Sequence, residues 1–223
     1  PPVNALGHAL RTGLEAAFAE ANADAGVKAI VLTGTGRFFS AGADITEFSS
    51  GMKEPFLPQL IDKIEASAKP VVAAVNGTAL GGGLELALGC HYRVASKEVR
   101  QLGLPEIKLG IIPGAGGTQR LPRAIGVEKA LELILSGAFI DAKTGAAAGL
   151  IDKIADGDVV AEAVAFAKGK IGTPPRRIGA KQIDRAAVPA GLFEKARASV
   201  ARHPSGPLAP KCVIDAVELT LTL

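Results

Sequence analysis

The feature that most constrains the fold of this chain is a continuous stretch at residues 69–119. Residues 70–75 are a short apolar run that favours a strand buried on both faces. A triple glycine at 81–83 then leads into an apolar helix that carries Glu85 in its first turn. Such a turn exposes unpaired backbone N–H groups and the positive end of a helix dipole, which stabilise an anion or a developing oxyanion.

Two familiar phosphate-binding motifs are missing from this turn. No Lys-Ser or Lys-Thr follows the glycines, as a P-loop requires, and no glycine cluster has the GxGxxG pattern of a dinucleotide site. A second carboxylate, Glu106, lies 21 positions after Glu85 and directly follows Pro105. Two carboxylates beside an oxyanion site suit the addition of water to a double bond conjugated to a carbonyl. One takes a proton from water, and the other donates a proton to the α-carbon.

Alternating strand and helix patterns predict an α/β domain. Apolar residues three and four positions apart predict a first helix at 9–23. Further strands are predicted at 28–33, 92–95, 99–102 and 151–154, and further helices at 117–125, 127–136, 142–148 and 159–170. The segment 34–45 is rich in small residues, and we interpret it as a loop that approaches a ligand closely.

The alternation ends at GTPPRR, residues 172–177. The rest of the chain contains helical patterns at 191–202 and 210–221 without a strand. We therefore predict a catalytic core at 1–171 and a helical C-terminal extension at 172–223.

Composition argues against several classes of protein. The net charge of +3 and the aromatic content of 4% do not suit nucleic-acid binding, and no apolar run reaches the roughly 18 residues of a membrane span. Cys90 and Cys212 form neither a zinc nor a disulfide pattern, which favours a reducing compartment. We predict the cytoplasm and leave the peroxisomal and mitochondrial matrix open. The chain begins with Pro1 rather than Met, so we expect further residues upstream.

Four segments together resemble the crotonase family of enoyl-CoA hydratases and isomerases. They are FFSAGADI (38–45), AVNGTALGGGLELAL (74–88), GLPEIKLGIIPGAGGTQRLPR (103–123) and SGAFIDAKTGAAAGLID (136–152). Within the family, GLELALGCHYRVA and the later TPPRR and APKCV are most similar to the hydratase part of bifunctional enoyl-CoA hydratase/3-hydroxyacyl-CoA dehydrogenases. The resemblance departs in two places: the interval between the two glutamates is one residue longer, and the opening strand pair is missing, which leaves a sheet edge exposed.

The resemblance implies a spiral of ββα units with a C-terminal helical extension, usually assembled as trimers. Coenzyme A, as part of the acyl-CoA thioester substrate, would lie in an extended groove, with no metal and no separate cofactor. Glu85 would be the general base toward water and Glu106 would transfer a proton at the α-carbon. The oxyanion-hole N–H groups would belong to Ala43 and Gly82.

Four further positions are predicted to bind substrate: Ala41, Asp44, Ile45 and Gly81. Asp44 has an alternative role, as the cap of a helix beginning at Ile45. Glu85 has one as well, because a glutamate in the first turn of a helix complements the dipole without any catalytic role.

The leading interpretation is an enoyl-CoA hydratase of fatty acid β-oxidation, acting on trans-2-enoyl-CoA. One alternative is a Δ3,Δ2-enoyl-CoA isomerase, which needs Glu106 alone. Another is a non-catalytic fragment of a multifunctional protein, whose exposed edge a partner would cover. The expected partners are further copies of the chain, with a trimer suspected, or a dehydrogenase domain.

Overall fold

The computed structural model describes residues 3–47, 51–200, 206 and 208–223. Its helices are α1 His8–Ala23, α2 Leu57–Glu65, α3 Gly82–Gly89, α4 Gly117–Ile125, α5 Val127–Ser136, α6 Ala142–Ala147, α7 Val159–Lys168, α8 Leu192–Val200 and α9 Leu208–Glu218. Its strands are β1 Ile30–Thr33, β2 Phe38–Ser40, β3 Val71–Val75, β4 Thr78–Leu80, β5 Tyr92–Ser96, β6 Leu102–Gly103 and β7 Lys153–Ala155. Short 3-10 helices lie at Pro105–Leu109, Arg185–Ala187 and Leu219–Leu221.

The first sheet is parallel, with strand order β1-β3-β5-β7. All five residues of β3 are buried, as expected for an apolar strand with both faces covered. On one face, Val72 and Ala74 pack with Ala163 of α7 in a small cluster of buried residues. On the other face, Val71 and Ala73 join the main core. The predicted α/β class is confirmed by this arrangement.

A second parallel sheet has the order β2-β4-β6, and it leads directly to the glycine turn. The chain passes from β3 to β4 through Gly77, where an added Cβ would lie 2.0 Å from the carbonyl oxygen of Arg37. Helix α3 begins two residues after β4, and every residue of the helix is buried. Glu85 is therefore held on a short helix inside the protein rather than on a surface loop.

Several predicted boundaries are correct and others are wrong. Helices 117–125 and 127–136 are confirmed to the residue. The strand predicted at 99–102 is wrong, because the paired residues are Leu102 and Gly103. The segment 34–45 is not a continuous loop, since it contains β2. Its sheet partner β4 lies far away in sequence, and a strand of three residues is too short to leave a periodic signal.

The C-terminal helices join the main core. Val213, Ile214 and Val217 of α9 are buried, and α9 packs against α4, α5 and α8. The helix predicted at 191–202 is observed as Leu192–Val200, and its last two predicted residues lie outside the described part of the chain. The division near residue 172 stays a prediction. None of the helices within the described ranges is long and apolar enough to cross a bilayer.

Candidate active site

Glu85 is fixed by two backbone amides from a distant turn. Its side chain is buried, with the residue 2% exposed. Oε1 accepts hydrogen bonds from the N–H groups of Ala115, at 2.7 Å, and Gly117, at 2.8 Å. Gly117 begins α4, so the carboxylate also lies at the positive end of that helix. An added Cβ at Gly117 would lie 2.9 Å from Oε1, so the close approach requires glycine.

Glu106 lies in the 3-10 helix Pro105–Leu109 and lines the same cavity as Glu85. Its Oε2 is buried and has no hydrogen-bond partner among the residues that the structure describes. Its Oε1 lies close to the glycine turn, because an added Cβ at Gly81 would be 3.1 Å from it. The structure thus brings together the two predicted catalytic carboxyl groups.

The two carboxyl groups have different electrostatic surroundings. Burial raises the pKa of Glu85, while the amides of Gly117 and Ala115 and the charge of Arg120 oppose that rise. Burial raises the pKa of Glu106 to about 7, and the neighbouring negative charge of Glu85 adds to the effect. Glu85 therefore has hydrogen bonds that favour its ionised form, whereas Glu106 is in good part protonated at neutral pH.

The amides of Ala43 and Gly82 lie beside each other at the cavity. An added Cβ at Gly82 would be 3.4 Å from the nitrogen of Ala43, and one at Gly42 would be 3.4 Å from the nitrogen of Gly82. Both residues line the cavity that contains the two glutamates. Two neighbouring backbone nitrogens at the cavity suit the predicted oxyanion hole, whose role stays a prediction.

Residues near the N-terminus support the Ala43 segment. The N–H of Leu6 donates to the carbonyl of Gly42 at 2.8 Å, and the N–H of Ala41 donates to the carbonyl of Val3 at 3.0 Å. The amide side chain of Asn4 donates to the carbonyls of the β2 segment, the shortest of these bonds being 2.8 Å to Phe38. This network fixes the backbone that leads from β2 into the cavity wall.

The cavity has a volume of about 480 Å³ and a mainly apolar lining. Three of the four predicted substrate-binding residues line it: Ala41, Ile45 and Gly81. Asp44 is not among its described lining residues, and its carboxylate accepts a hydrogen bond from the Thr46 N–H at 3.0 Å. This contact suits the alternative role as a local cap, although the helix predicted from Ile45 mostly lies outside the described residues. Exposed apolar side chains at the rim include Ile45, Met52, Leu109 and Ile111.

The amides that hold Glu85 were not predicted from the sequence. They belong to the run Pro113-Gly114-Ala115-Gly116-Gly117, which is a second glycine turn opening into a helix. Gly116 has a left-handed backbone, with φ 97°. The same argument that selected the first glycine turn was therefore available for this one. Within the described ranges, no three His, Cys, Asp or Glu side chains are grouped so as to hold a metal ion.

Several known proteins are similar to this chain. Residues 1–188 match the family described as Enoyl-CoA hydratase/isomerase. The peroxisomal bifunctional enzyme of Danio rerio is 43% identical over 222 residues, which are 97% of this chain and 30% of that protein. A probable enoyl-CoA hydratase of Bacillus subtilis is 51% identical over 158 residues, 68% of this chain and 61% of that protein. The chain thus spans less than two thirds of either relative.

A solved structure supports the same assignment. The crystal structure of an enoyl-CoA hydratase from Bacillus anthracis is 34% identical, with a TM-score of 0.70, and the match covers 97% of this chain and 83% of that one. The predicted crotonase-like α/β fold is confirmed by this likeness. The chain belongs to the enoyl-CoA hydratase/isomerase family.

Proposed function

We propose that this chain adds water to a trans-2-enoyl-CoA and forms a 3-hydroxyacyl-CoA, as a step of fatty acid β-oxidation. The observation that carries the proposal is the pairing of two carboxyl groups with unlike hydrogen-bonding in one apolar cavity. Glu85 accepts two backbone N–H bonds, whereas Oε2 of Glu106 is buried and has no partner among the described residues. Such a difference separates a base from an acid in one site.

The proposed reaction uses each group once. Ionised Glu85 removes a proton from water, and the water oxygen forms a bond to C3 of the enoyl group. The double-bond electrons move to C2, which takes the proton of Glu106, and the thioester oxygen carries the negative charge of the enolate-like transition state. The N–H groups of Ala43 and Gly82 hold that oxygen. At the end Glu85 is protonated and Glu106 ionised, and proton exchange with water restores both.

The shape of the cavity supports an acyl thioester as the substrate. Its walls are mainly apolar, and its few polar side chains are those of the two glutamates, Arg11 and Gln59, which suits a thioester on an apolar chain. The proposal requires no cofactor, because coenzyme A is part of the substrate. Ile45 is exposed and lines the cavity, which suits contact with an acyl-CoA there.

The test follows the absorbance of the conjugated thioester in a short trans-2-enoyl-CoA. We expect wild type to remove the absorbance and Glu85→Gln and Glu106→Gln each to lower turnover by about 10²–10⁴-fold, with ligand binding largely retained. Glu20→Gln, an exposed glutamate of α1, is the matched control and should keep wild-type turnover. Loss of binding without loss of turnover in the bound state would contradict the assigned roles.

A second candidate function is the isomerisation of a 3-enoyl-CoA to a 2-enoyl-CoA. The pKa of about 7 at Glu106 favours it, because one carboxyl group that gains and loses a proton near neutral pH can move a proton between two carbons. Glu85→Gln separates the candidates: isomerisation should survive in this variant where hydration fails. Absence of both reactions, with coenzyme A esters still bound, would refute both candidates.

The relatives bear on the whole protein and its compartment. A relative named peroxisomal bifunctional enzyme matches this chain over 30% of its length, which supports the proposal that a further domain, expected to be a dehydrogenase, accompanies the chain. That name also favours the peroxisomal matrix over the cytoplasm predicted from composition. The trimer stays a prediction, to be measured by light scattering after size exclusion.

A further inference from the structure

Arg120 is a buried cation that the proposed reaction does not use. It lies in the first turns of α4 and is 8% exposed. Its Nη2 donates to Glu65 and to Asp62, in each case at 2.7 Å, and its Nε donates to Glu65 at 3.0 Å. Both acceptors belong to α2, so one side of the guanidinium is attached to that helix.

The other side of the guanidinium contacts the turn that holds Glu85. Nη1 lies 3.4 Å from the carbonyl oxygen of Ala115, and an added Cβ at Gly116 would be 2.1 Å from Nη1. Any side chain at Gly116 would therefore displace the guanidinium. The residues on either side of Gly116 are the two that donate their N–H groups to Glu85.

Helix α2 is itself part of the cavity wall. Leu57, Pro58 and Gln59, in its first turn, line the cavity, while Asp62 and Glu65 lie one to two turns further along. Arg120 thus connects the helix that forms one wall to the turn that fixes the proposed base. A guanidinium suits this task because its planar set of donors reaches several acceptors at once, which a lysine ammonium cannot reproduce.

We propose that Arg120 is a positioning residue, which fixes the Ala115–Gly117 turn against α2 and so fixes the Glu85 carboxylate relative to Glu106 and the cavity wall. The inference rests on the proposed function, because it assigns Glu85 as the base. Among the described residues, Glu106 and Arg11 are the charged groups that line the cavity with Glu85, and Arg120 lies behind the turn. Arg120 is in turn faced by Asp62, Glu65 and Arg123.

Arg123 provides a matched control on the same helix. It is 6% exposed and so is equally buried. Its described hydrogen bonds go to the carbonyls of Lys181 and Leu223, in the C-terminal part of the chain, and to Gln119, one turn earlier in α4. Arg123→Met therefore measures the cost of removing a buried arginine from α4 whose described hydrogen bonds do not go to residues 115–117.

The experiment compares Arg120→Met, Arg120→Lys and Arg123→Met. Hydration kinetics are recorded across pH, and hydrogen–deuterium exchange is measured over residues 113–119. We expect Arg120→Met to lower kcat by up to about 100-fold with little change in KM, because a small misplacement of a reacting group costs rate rather than binding. The acid limb of its kcat profile should move to higher pH, because Glu85 loses a stabilising positive charge. Exchange at 113–119 should accelerate.

Arg120→Lys keeps the charge and loses the planar donors, so it should restore the acid limb but recover kcat only in part. The inference is overturned if Arg120→Met loses no more kcat than Arg123→Met, or if its acid limb and its exchange stay as in wild type. If Arg120→Met fails to fold, Arg120→Lys takes its place. The inference is then overturned if Arg120→Lys loses no more kcat than Arg123→Met, or if its exchange at 113–119 stays as in wild type. If wild type has no hydratase activity, the proposed function fails, and exchange at 113–119 still decides whether Arg120 fixes the turn.

Discussion

Removing the negative charge of Glu106 should make the protein more stable at high pH and less active. Near pH 4.5 the wild-type carboxyl of the folded protein is protonated and therefore uncharged. The amide of Glu106→Gln is uncharged at every pH. The folded-state pKa of Glu106 is about 7, against an ordinary value of 4.5. Between these two values the unfolded chain releases its proton while the folded chain keeps it. Rising pH therefore favours unfolding of the wild type.

The size of the effect depends on the pKa difference. One pKa unit corresponds to about 1.4 kcal/mol, so the full shift is worth about 3 kcal/mol at pH 8. Part of it arises from repulsion with Glu85 and belongs to the pair. We therefore expect the free energy of unfolding of Glu106→Gln, relative to wild type, to increase by about 2–3 kcal/mol between pH 4.5 and pH 8.

Urea unfolding of wild type, Glu106→Gln and Glu20→Gln at several pH values between 4.5 and 8 measures this difference. Glu20 is an exposed glutamate of α1, so its variant reports the effect of removing one surface charge. The reasoning is refuted if Glu106→Gln gains no more stability over this range than Glu20→Gln. It is also refuted if the stability gained by Glu106→Gln relative to wild type decreases as the pH rises. Burial of the ionised carboxylate destabilises the wild type more at higher pH, so this gain should increase.

Three further perturbations test other parts of the structure. Gly117→Ala should slow hydration and destabilise the fold, because its Cβ would lie 2.9 Å from Oε1 of Glu85. Expressed as free energies, the loss in hydration rate should be at least as large as the loss in stability, and kinetics and unfolding of the same variant measure both. His91 is buried, its Nδ1 accepts from the Val71 N–H at 3.0 Å, and burial lowers its pKa. The free energy of unfolding of wild type should thus decrease as pH falls below about 6.5. In His91→Gln it should decrease less over the same range, because the variant has no imidazole to protonate. Asp158→Ala removes the cap of α7, a bond of 2.8 Å to the Val160 N–H, and should cost about 1 kcal/mol by urea unfolding.

The elements that the sequence predicted well are those with a local signal. The apolar run of β3 is visible because both of its faces are covered. The boundary between α4 and α5 is visible because Gly126 lies between two apolar helical patterns. Glu85 and Glu106 were identified because carboxylates beside a glycine turn are chemically informative. Their roles stay predictions until the variants are measured.

The second sheet could not be predicted, because its pairing is entirely between distant segments. Phe38 pairs with Thr78, and Ala79 pairs with Leu102. Strands of two or three residues are too short to show an alternating pattern. The glycine turn that carries the amides of Ala115 and Gly117 is visible in the sequence, but no local pattern links it to Glu85, which lies 30 residues earlier in the chain.

The contacts of residues 3–6 have a consequence for the order of folding. Asn4 reaches carbonyls of β2 that lie 34 and 35 residues away, and Leu6 bonds to Gly42. Contacts that close loops of this length form slowly compared with a helix such as α4. A refolding chain would regain its helices and much of its core before the segment carrying Ala43 is fixed. Activity should then return later than helical structure, and a chain with a well-formed core would for a time be unable to hold the thioester oxygen.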